Sequence, residues 1–375
     1  MQGENIYVIG GNHHNTLGVI RSLGYRGIYS NLILVCENKR PYISFSKYIK
    51  EIYKVKTDKE AIDLLKSFCH KTKAVLIACS DGASSEIDLN KDYLSNFYHL
   101  PGCNIQGKLS QLMNKETMSN LASSVGLKVP KSWVVENVDD INNFDIQYPC
   151  IIKPIISKYG KKTDVQVCFH KEDLLKAINN GSCFRYQVQQ YIDKIFEYQL
   201  IGLSLDYGKE IIIPGFSRCI RPCPRTNTGY LHYEPLEEIS APIENCKRFL
   251  SSVGYSGLFS IEFLRDKQGV DYFMETNFRN DGNAICVTAS GTNLSYIWYL
   301  YCTKQDYKEE LNSSKFKAVY VMPEFADFSC FVKSGKISIF QWIRDLIRTN
   351  KFMEFDRFDK KPFYYYLLNK ILNIF

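Results

Sequence analysis

The stretch Phe259–Gly282, FSIEFLRDKQGVDYFMETNFRNDG, decides the fold of this chain. Two runs rich in aromatic and β-branched residues, Phe259–Arg265 and Val270–Thr276, flank the polar turn DKQG, which ends in glycine. Two such runs separated by a short glycine-containing turn are typical of a β-hairpin. The stretch therefore predicts two paired strands that lead into the polar segment NFRNDG.

The predicted hairpin brings acidic side chains together. A register that pairs the ends of the two runs places Glu262 opposite Phe273. Glu275 is then a diagonal neighbour of Glu262, and Asn277 follows on the same face. Two carboxylates and an amide oxygen are ligands that Mg²⁺ prefers, and unpaired carboxylates are costly in apolar strands. The pair of acids is either a metal site or two solvated side chains. The interpretation depends on the pairing register of the two strands, since a shift by one residue would place Glu262 on the other face of the hairpin.

Length and composition indicate a globular protein of two or three domains. The chain has 375 residues, of which 45% are hydrophobic, and no apolar run has the length that spans a bilayer. Its first residues, MQGENIYVIGG, lack the features of a signal peptide, and its 13 cysteines are scattered singly, as in reduced cytosolic proteins. We therefore expect a soluble, cytoplasmic protein.

Positive charge and aromatic side chains are concentrated near the C-terminus. The net charge is +7, and residues 331–375 hold nine Lys or Arg against four Asp or Glu, which gives +5 of it. The nearly neutral remainder argues against a nucleic-acid-binding face. Residues 335–348 predict an amphipathic helix capped by Ser338, with one apolar face made of Ile339, Ile343, Leu346 and Ile347. This segment suits contact with an anionic membrane or a partner protein, and packing back onto the body is the alternative that we favour.

The first hundred residues alternate short apolar strands with helix-forming segments. Strands are predicted at residues 6–9, 32–36 and 74–79, and a helix at 58–70. This alternation predicts a small α/β domain with a parallel sheet, and the missing G-x-G-x-x-G sequence argues against a dinucleotide site. Asp81, after the third strand, either contacts a ligand or caps the next helix, while His13 and His14 are candidate substrate contacts or solvated turn residues.

Three lysines occupy positions where an anion would suit them. Lys153 lies inside the apolar strand of YPCIIKP, and Lys115 begins a helix capped by Asn114, where the helix dipole disfavours a cation. Lys158 belongs to the polar turn SKYGKKT that follows. Because a buried lysine is costly without a counter-charge, phosphate contact is one interpretation. Snorkelling of Lys153 and an ordinary solvated turn are the others.

Three arginines, Arg218, Arg221 and Arg225, lie in the proline-containing segment SRCIRPCPRTNTG. Guanidinium groups bind carboxylates and phosphates in a bidentate manner, so the segment predicts a receptor for such a group. A solvated basic loop is the alternative.

The order of these segments resembles that of the ATP-grasp superfamily of ATP-dependent ligases. The resemblance spans residues 1–315 and rests on several motifs in sequence: the Rossmann-like start, the Lys115…Gly126…Pro130 pattern, YPCIIKP, the strand VQQYI followed by an acid, IEF and METNFR. Within the superfamily, IRPCP and the stretch from NFRNDG to ASGTNL are most similar to D-aspartate ligase and related carboxylate–amine ligases.

The resemblance implies an α/β fold, α+β in its ATP-grasp part. A Rossmann-like domain would precede two lobes that hold ATP between two antiparallel sheets. The implied divisions are a Rossmann-like preATP-grasp domain at 1–100, the small lobe and linker helices at 101–188, the C-terminal lobe with the metal site at 189–315, and a basic, aromatic, helical extension at 316–375.

The resemblance also implies roles for individual residues. The ATP phosphates would be held by Lys115, Lys153 and Lys158. The adenine would lie against Gln190, Tyr191 and Ile192, and the ribose hydroxyls would bind Glu197. The metal, Mg²⁺ or Mn²⁺, would be held by Glu262, Glu275 and Asn277. The carboxylate substrate and the transferred phosphate would face Arg279, Arg218 and Arg221.

The implied activity is that of an ATP- and Mg-dependent ligase. It would activate a carboxylate as an acyl-phosphate and couple it to an amine, in cell-wall, surface-polymer or peptide biosynthesis. One alternative is a bicarbonate-activating enzyme similar to carbamoyl-phosphate synthase or a carboxylase, and another is a non-catalytic ATP-binding scaffold. The expected partners are small-molecule carboxylate and amine substrates, and no nucleic acid is expected. The protein could be a monomer or an oligomer.

Overall fold

The computed structural model describes residues 5–68, 70–155, 165–181, 185–223 and 228–372. Two residues singled out from the sequence, Lys158 and Arg225, lie outside these ranges. Within them, no helix combines the length and the apolarity that would let it cross a bilayer.

The N-terminal domain is a parallel sheet covered by helices. Its elements are β1 (Ile6–Gly10), α1 (His14–Gly24), β2 (Ser30–Val35), β3 (Ile49–Val55), α2 (Asp58–Ser67), β4 (Ala74–Ala78), α3 (Asp81–Leu89), α4 (Lys91–Leu94) and β5 (Tyr98–His99). The strand order is β3-β2-β1-β4-β5, with every pair parallel. This confirms the predicted Rossmann-like domain. The sequence argument missed β3, because this edge strand, IKEIYKV, carries charged and partly exposed side chains instead of an apolar run.

The small lobe is a separate antiparallel sheet. The chain first forms β6 (Gly102–Cys103), α5 (Lys108–Leu112) and α6 (Lys115–Ser124). The lobe then follows with β7 (Ser132–Val135), β8 (Cys150–Pro154), β9 (Gln166–Cys168), α7 (Lys171–Asn180) and β10 (Tyr186–Gln190). The strand order is β7-β10-β8-β9. One face packs on α7 through Cys150, Ile152 and Val188, so Lys153 in β8 projects from the opposite face.

The large lobe is built on a nine-stranded sheet. Its elements are β11 (Lys194–Leu205), β12 (Glu210–Ile212), β13 (Phe216–Pro222), β14 (Gly229–Glu234), α8 (Ile243–Val253), β15 (Tyr255–Asp266), β16 (Asp271–Asn277), α9 (Ile285–Ser290), α10 (Leu294–Cys302) and α11 (Tyr307–Ser313). The main strand order is β16-β15-β11-β13-β14-β17-β18, where β17 (Val319–Met322) and β18 (Lys351–Phe352) come from the C-terminal segment. The other two strands are β12, which pairs with β11, and β6, which pairs with β15. The predicted α/β architecture with two antiparallel lobes is thus confirmed.

The decisive hairpin forms with a bulge. Glu262 lies directly opposite Glu275, while Phe263 pairs with Phe273, so Met274 is the extra residue on β16. The prediction that Glu262 opposes Phe273 is therefore wrong. The physical reason is burial, because both phenylalanines are fully buried in the core beneath the sheet, and the bulge keeps them there without separating the two acids.

The core beneath this hairpin also includes the linker helices. Met118 and Ala122 of α6 belong to the same apolar cluster as Phe249 of α8 and Phe259 of β15. The helices between the N-terminal domain and the small lobe therefore pack on the large lobe. The bounds of the four predicted domains stay predictions, since they depend on whether these linker helices are assigned to the small lobe or to the large lobe.

The C-terminal segment packs back onto the body and is not wholly helical. It contributes two strands to the large sheet, together with α12 (Glu324–Asp327), a π-helical turn at Phe328–Val332, α13 (Ile339–Arg348) and α14 (Lys361–Ile371). Arg21 of α1 fastens it, since its buried guanidinium donates to the Glu354 carbonyl at 2.9 Å and to the Asp359 carboxylate at 3.2 Å. The predicted cap is present, because Ser338 Oγ accepts from the backbone of Gln341.

Candidate active site

One face of β11, β15 and β16 carries a cluster of carboxylates and amides. Glu262 lies opposite Glu275 and opposite Gln199 of β11. Its Oε1 atom accepts hydrogen bonds from Gln199 Nε2 at 3.2 Å and from Asn277 Nδ2 at 3.0 Å. Like charges directly opposite each other on a ladder repel, so the acid pair suits a divalent cation with oxygen ligands. The hairpin thus brings together the three residues predicted to hold a metal.

Arg279 joins this cluster to the N-terminal domain. Its Nη2 donates to Asn277 Oδ1 at 3.0 Å, and its Nε pairs with Asp81 at 2.7 Å. Burial opposes the charge, but Asp81 and Asp281 together raise the pKa of Arg279, so its guanidinium stays positive. Ser80 caps α3, since its side chain accepts from the Ala83 backbone, and Asp81 is held by Arg279.

Lys153 approaches the acid pair from the small lobe. Its Nζ donates to Gln189 Oε1 at 2.9 Å. Burial, opposed by Glu275, lowers the pKa of Lys153 to about 8, and the neighbouring charge of Lys115 adds a smaller lowering effect. A lysine whose charge is disfavoured by burial, and which shares a site with another lysine and two carboxylates, suits a phosphate group that stabilises the charged form.

Lys115 lies beside the same strand. It begins α6 directly after the cap Asn114, whose Oδ1 accepts from Glu116 and Thr117, as predicted. The Lys115 Nζ donates to the Pro154 carbonyl at 3.3 Å. Two of the three lysines predicted to contact phosphates are therefore brought together, and the third, Lys158, lies outside the described residues.

A cleft runs along the sheet face next to the acid pair. It is narrow, with a cavity volume of about 60 Å³, and is lined by Glu197, Gln199, Cys219, Glu262 and Met274, among others. Glu197, predicted after a linker, lies inside β11, which begins at Lys194, and its carboxylate forms an ion pair with that lysine.

Residues 190–192 connect the two lobes. Gln190 ends β10 and is tied to Lys131, because its backbone N–H donates to the Lys131 carbonyl at 2.8 Å. Tyr191 is exposed and Ile192 is buried. These residues, predicted to line the adenine, therefore lie between the end of the small sheet and the strand that carries Glu197.

Two predicted arginines are not brought to this site. Arg218 lies opposite Tyr198 of β11, while the next residue of β11, Gln199, lies opposite Glu262. Because successive side chains of a strand point to opposite faces, Arg218 projects from the face away from the acid pair. There it forms an ion pair with Glu234 at 2.9 Å. Arg221 follows a bulge in β13 and pairs with Tyr230, which keeps it on that face. The structure pairs these two guanidinium groups with acids of this chain, and their role as receptors for a substrate carboxylate or phosphate stays a prediction.

The acids that occupy Arg221 belong to the C-terminal segment. The Arg221 Nη2 atom lies 2.8 Å from Asp327, and Nη1 lies 2.8 Å from Asp345. All three side chains are nearly or fully buried. Arg221 is thus a structural clamp between the large sheet and helices α12 and α13.

We expect Arg221→Lys to destabilise the protein without harming the site. A lysine keeps the charge but loses the planar fork that binds two aspartates, which costs about 1–3 kcal/mol of unfolding free energy. Urea unfolding measures this loss, with the exposed Arg248→Lys on α8 as the matched control. Unchanged stability together with reduced ATP turnover would instead indicate that Arg221 acts in the active site.

Three amides that organise the site are not predicted from the sequence. Asn283 Nδ2 donates to Gln199 Oε1 at 2.8 Å, so the amide of Gln199 is oriented with its nitrogen toward Glu262. Gln189 holds Lys153 in the same way from the small lobe. A signal was present, since Gln199 is a polar residue inside the apolar run YQLIGL, as Lys153 is inside CIIKP.

Solved structures similar to this chain identify the fold. An L-amino acid ligase from Bacillus licheniformis matches with a TM-score of 0.66 at 14% identity, covering 85% of this chain and 79% of that one. N5-carboxyaminoimidazole synthetase from Staphylococcus aureus matches with a TM-score of 0.67 at 17% identity, covering 88% and 85%. Both are ATP-grasp structures. The chain has the ATP-grasp fold. No family model matches it.

A third structure with the ATP-grasp fold was solved with ligands. It is the biotin carboxylase domain of the 2-oxoglutarate carboxylase of Hydrogenobacter thermophilus, in complex with MgADP and bicarbonate. It matches with a TM-score of 0.64 at 16% identity and covers 85% of this chain and 74% of that one. At this identity the likeness concerns the fold alone.

Curated relatives of this ATP-grasp chain are similar over part of their length. Formate-dependent phosphoribosylglycinamide formyltransferase of Wolinella succinogenes is 25% identical over 185 residues, which are 46% of this chain and 45% of that protein. D-aspartate ligase of Enterococcus faecium is 22% identical over 242 residues, which are 60% and 57%. D-alanine–D-alanine ligase of a Wolbachia endosymbiont of Brugia malayi is 35% identical over 68 residues, 18% and 20%. The chain thus spans less than two thirds of each relative.

Proposed function

We propose that this protein is an ATP- and Mg²⁺-dependent ligase that joins a carboxylate to an amine through an acyl-phosphate. The observation that carries the proposal is the meeting of Glu262 and Glu275 with the partly buried Lys153 across the two lobes. Two carboxylates beside a lysine of lowered pKa fit a metal-bound polyphosphate, since carboxylate oxygens are ligands that Mg²⁺ prefers and a phosphate stabilises the charged form of a lysine.

The proposed chemistry needs no protein nucleophile. The substrate carboxylate attacks the γ-phosphorus of ATP, ADP leaves, and an acyl-phosphate forms. The amine nitrogen then attacks the acyl carbon and loses a proton. The bond between that carbon and the phosphate oxygen breaks, and inorganic phosphate leaves. Bound Mg²⁺ would neutralise negative charge on the phosphates. Positioning and electrostatics supply most of the barrier reduction.

The described residues have distinct parts in this scheme. Glu262, Glu275 and Asn277 would hold the metal, and Lys153 and Lys115 would contact the phosphates. The cleft lined by Glu197 would take the nucleoside, with Gln190, Tyr191 and Ile192 at its edge and Lys158 on the segment beyond β8. Arg279, fixed by Asp81, would face the transferred phosphate or the acyl-phosphate.

Amino acids are one of the substrate classes that the relatives' names specify, and formate, in the name of the phosphoribosylglycinamide formyltransferases, is another. The names of three similar proteins, an L-amino acid ligase, D-aspartate ligase and D-alanine–D-alanine ligase, all specify amino acids as substrates. We therefore propose that the carboxylate or the amine is an amino acid, in cell-wall, surface-polymer or peptide biosynthesis.

A second candidate is activation of bicarbonate. It is favoured by one observation, the fold likeness to a carboxylase domain solved with bicarbonate and MgADP. Bicarbonate is itself a small carboxylate-like acceptor of the γ-phosphate, so the same acid pair and lysines would serve it.

Release of ADP in the presence of a panel of substrates distinguishes these functions. We expect ADP release from ATP and Mg²⁺ to rise with a pair of amino acids, or with an amino acid and an amine, and an amide product to appear by mass spectrometry. Stimulation by bicarbonate alone would favour the second candidate. ATP binding without turnover under every condition would contradict both and leave a nucleotide-binding scaffold.

A further inference from the structure

Helix α13 has an inverted polarity. Its buried residue is the charged Asp345, which pairs with Arg221. Its most exposed residues are apolar: Phe340 and Ile347 are 81% and 80% exposed, and Ile339 and Ile343 are also exposed. Residues 339, 343 and 347 follow one another at a spacing of four, so they form one continuous apolar face on the outside of the protein.

Helix α14 repeats this arrangement. It buries Asn369, which donates to the Arg40 carbonyl at 2.7 Å. It exposes Tyr364, Leu368 and Ile371, which lie on one face at spacings of four and three. Two neighbouring helices that bury polar groups and expose apolar ones have their apolar faces free for another surface.

The two helices border one open apolar cleft. Its walls are aromatic and aliphatic, with Phe325, Phe328, Trp342, Phe352, Phe355 and Phe363 among the lining residues, and about 1190 Å³ of empty space lies within it. Lys333 and Lys370 also line it. The acid Glu324 lies there too, but it is buried and accepts backbone hydrogen bonds from Glu354 and Phe355, and burial raises its pKa.

The exposed charge that residues 331–372 themselves contribute has a single sign. The acids of residues 331–372, Asp345, Glu354, Asp356 and Asp359, are all buried. The exposed cations around α13 are Lys333, Lys336, Arg344 and Arg348. Those around α14 are Arg357, Lys360, Lys361 and Lys370. The net charge of this segment therefore understates the positive charge that its surface presents.

We propose that α13 and α14 dock the protein on an anionic lipid bilayer. Exposed apolar side chains flanked by exposed cations match a surface that is apolar within and negatively charged at its headgroups. A second copy of this chain would bring the same basic surface face to face with itself, and the like charges would repel. A nucleic acid would meet the cations but would leave the apolar faces in water. This inference does not depend on the ligase proposal.

Co-sedimentation with vesicles tests the docking. We expect the full chain to bind vesicles of phosphatidylglycerol and phosphatidylcholine at least about 10-fold more tightly than vesicles of phosphatidylcholine alone, because each basic group near an anionic surface raises the partition roughly fivefold. Binding should weaken as salt is added, since screening shortens the reach of these charges.

Two pairs of substitutions separate the apolar and the basic contributions. Phe340→Glu with Ile347→Glu should reduce vesicle binding by about 10-fold or more, since it removes two inserting side chains and adds negative charge. The matched control is Ile105→Glu with Phe169→Glu, which are each 62% exposed elsewhere on the chain. If the first pair prevents folding, Arg344→Gln with Lys361→Gln should still lower binding to anionic vesicles by about 25-fold.

Several results would overturn the proposal. These are equal binding to neutral and anionic vesicles, no vesicle binding by the folded wild-type chain, or binding that survives the α13 substitutions while the control pair removes it. Sedimentation equilibrium provides the remaining outcome. A dimer that forms in wild type and dissociates in Phe340→Glu with Ile347→Glu would assign the apolar faces to a second copy.

Discussion

Glu275→Gln is expected to reduce ATP turnover by about 10³-fold, because the metal-bound phosphates account for several kcal/mol of transition-state stabilisation. Glutamine keeps the size of the side chain but removes the charge opposite Glu262. Direct binding of Mn²⁺ in the presence of a non-hydrolysable ATP analogue should weaken in parallel, which gives a readout that is independent of the unknown substrates. ADP release is measured with the substrates that give the highest rate in the panel.

The folded state of this variant should not suffer. In the metal-free protein, removal of this charge relieves the repulsion from Glu262 but also removes an attraction to Lys153, so we expect the unfolding free energy to change by less than about 0.5 kcal/mol. Glu244→Gln on α8 is the matched control, since its side chain is 78% exposed and pairs only with Lys247 among the described residues. Undiminished ADP release and Mn²⁺ binding in Glu275→Gln would refute the metal assignment.

The sequence predicted the hairpin but not its register. The alternation of apolar residues and the polar turn located both strands and showed that their acids converge. The bulge at Met274 escaped this reasoning, because it is set by the burial of Phe263 and Phe273 against α8. That helix lies on the far side of the sheet, and strand patterns alone do not specify what packs beneath them.

The cations show the same limit more sharply. Lys153 and Arg221 both lie in β-strands among apolar residues, and local sequence predicts an anion for each. Lys153 faces the acid pair across the lobes. Arg221 meets Asp327 and Asp345, which lie more than a hundred residues away in the sequence. Sequence-local chemistry predicts that a buried cation has a partner, but only long-range topology decides whether that partner is a ligand or the chain itself.

Lys153→Met is expected to separate stability from function. Burial lowers the pKa of this lysine from 10.5 to about 8, so keeping it charged in the folded protein costs up to about 3 kcal/mol below pH 8. Methionine has a similar length and no charge, and the variant should therefore unfold at higher urea concentrations at neutral pH. Its ATP turnover should nevertheless fall by about 10²-fold, as one preorganised positive group is lost.

The pH dependence of this stabilisation identifies its cause. Between pH 8 and 10.5 the unfolded chain binds more protons at Lys153 than the folded chain does, so wild-type stability rises with pH through this window. The advantage of Lys153→Met should therefore be largest below pH 8 and disappear as the pH approaches 10.5. Lys176→Met, at an exposed position of α7, should change stability by less than about 0.5 kcal/mol at every pH. A destabilised Lys153→Met variant would show that the lysine stabilises the protein without ligand. The folded protein would then pay no free-energy cost for the lysine charge that a phosphate could offset.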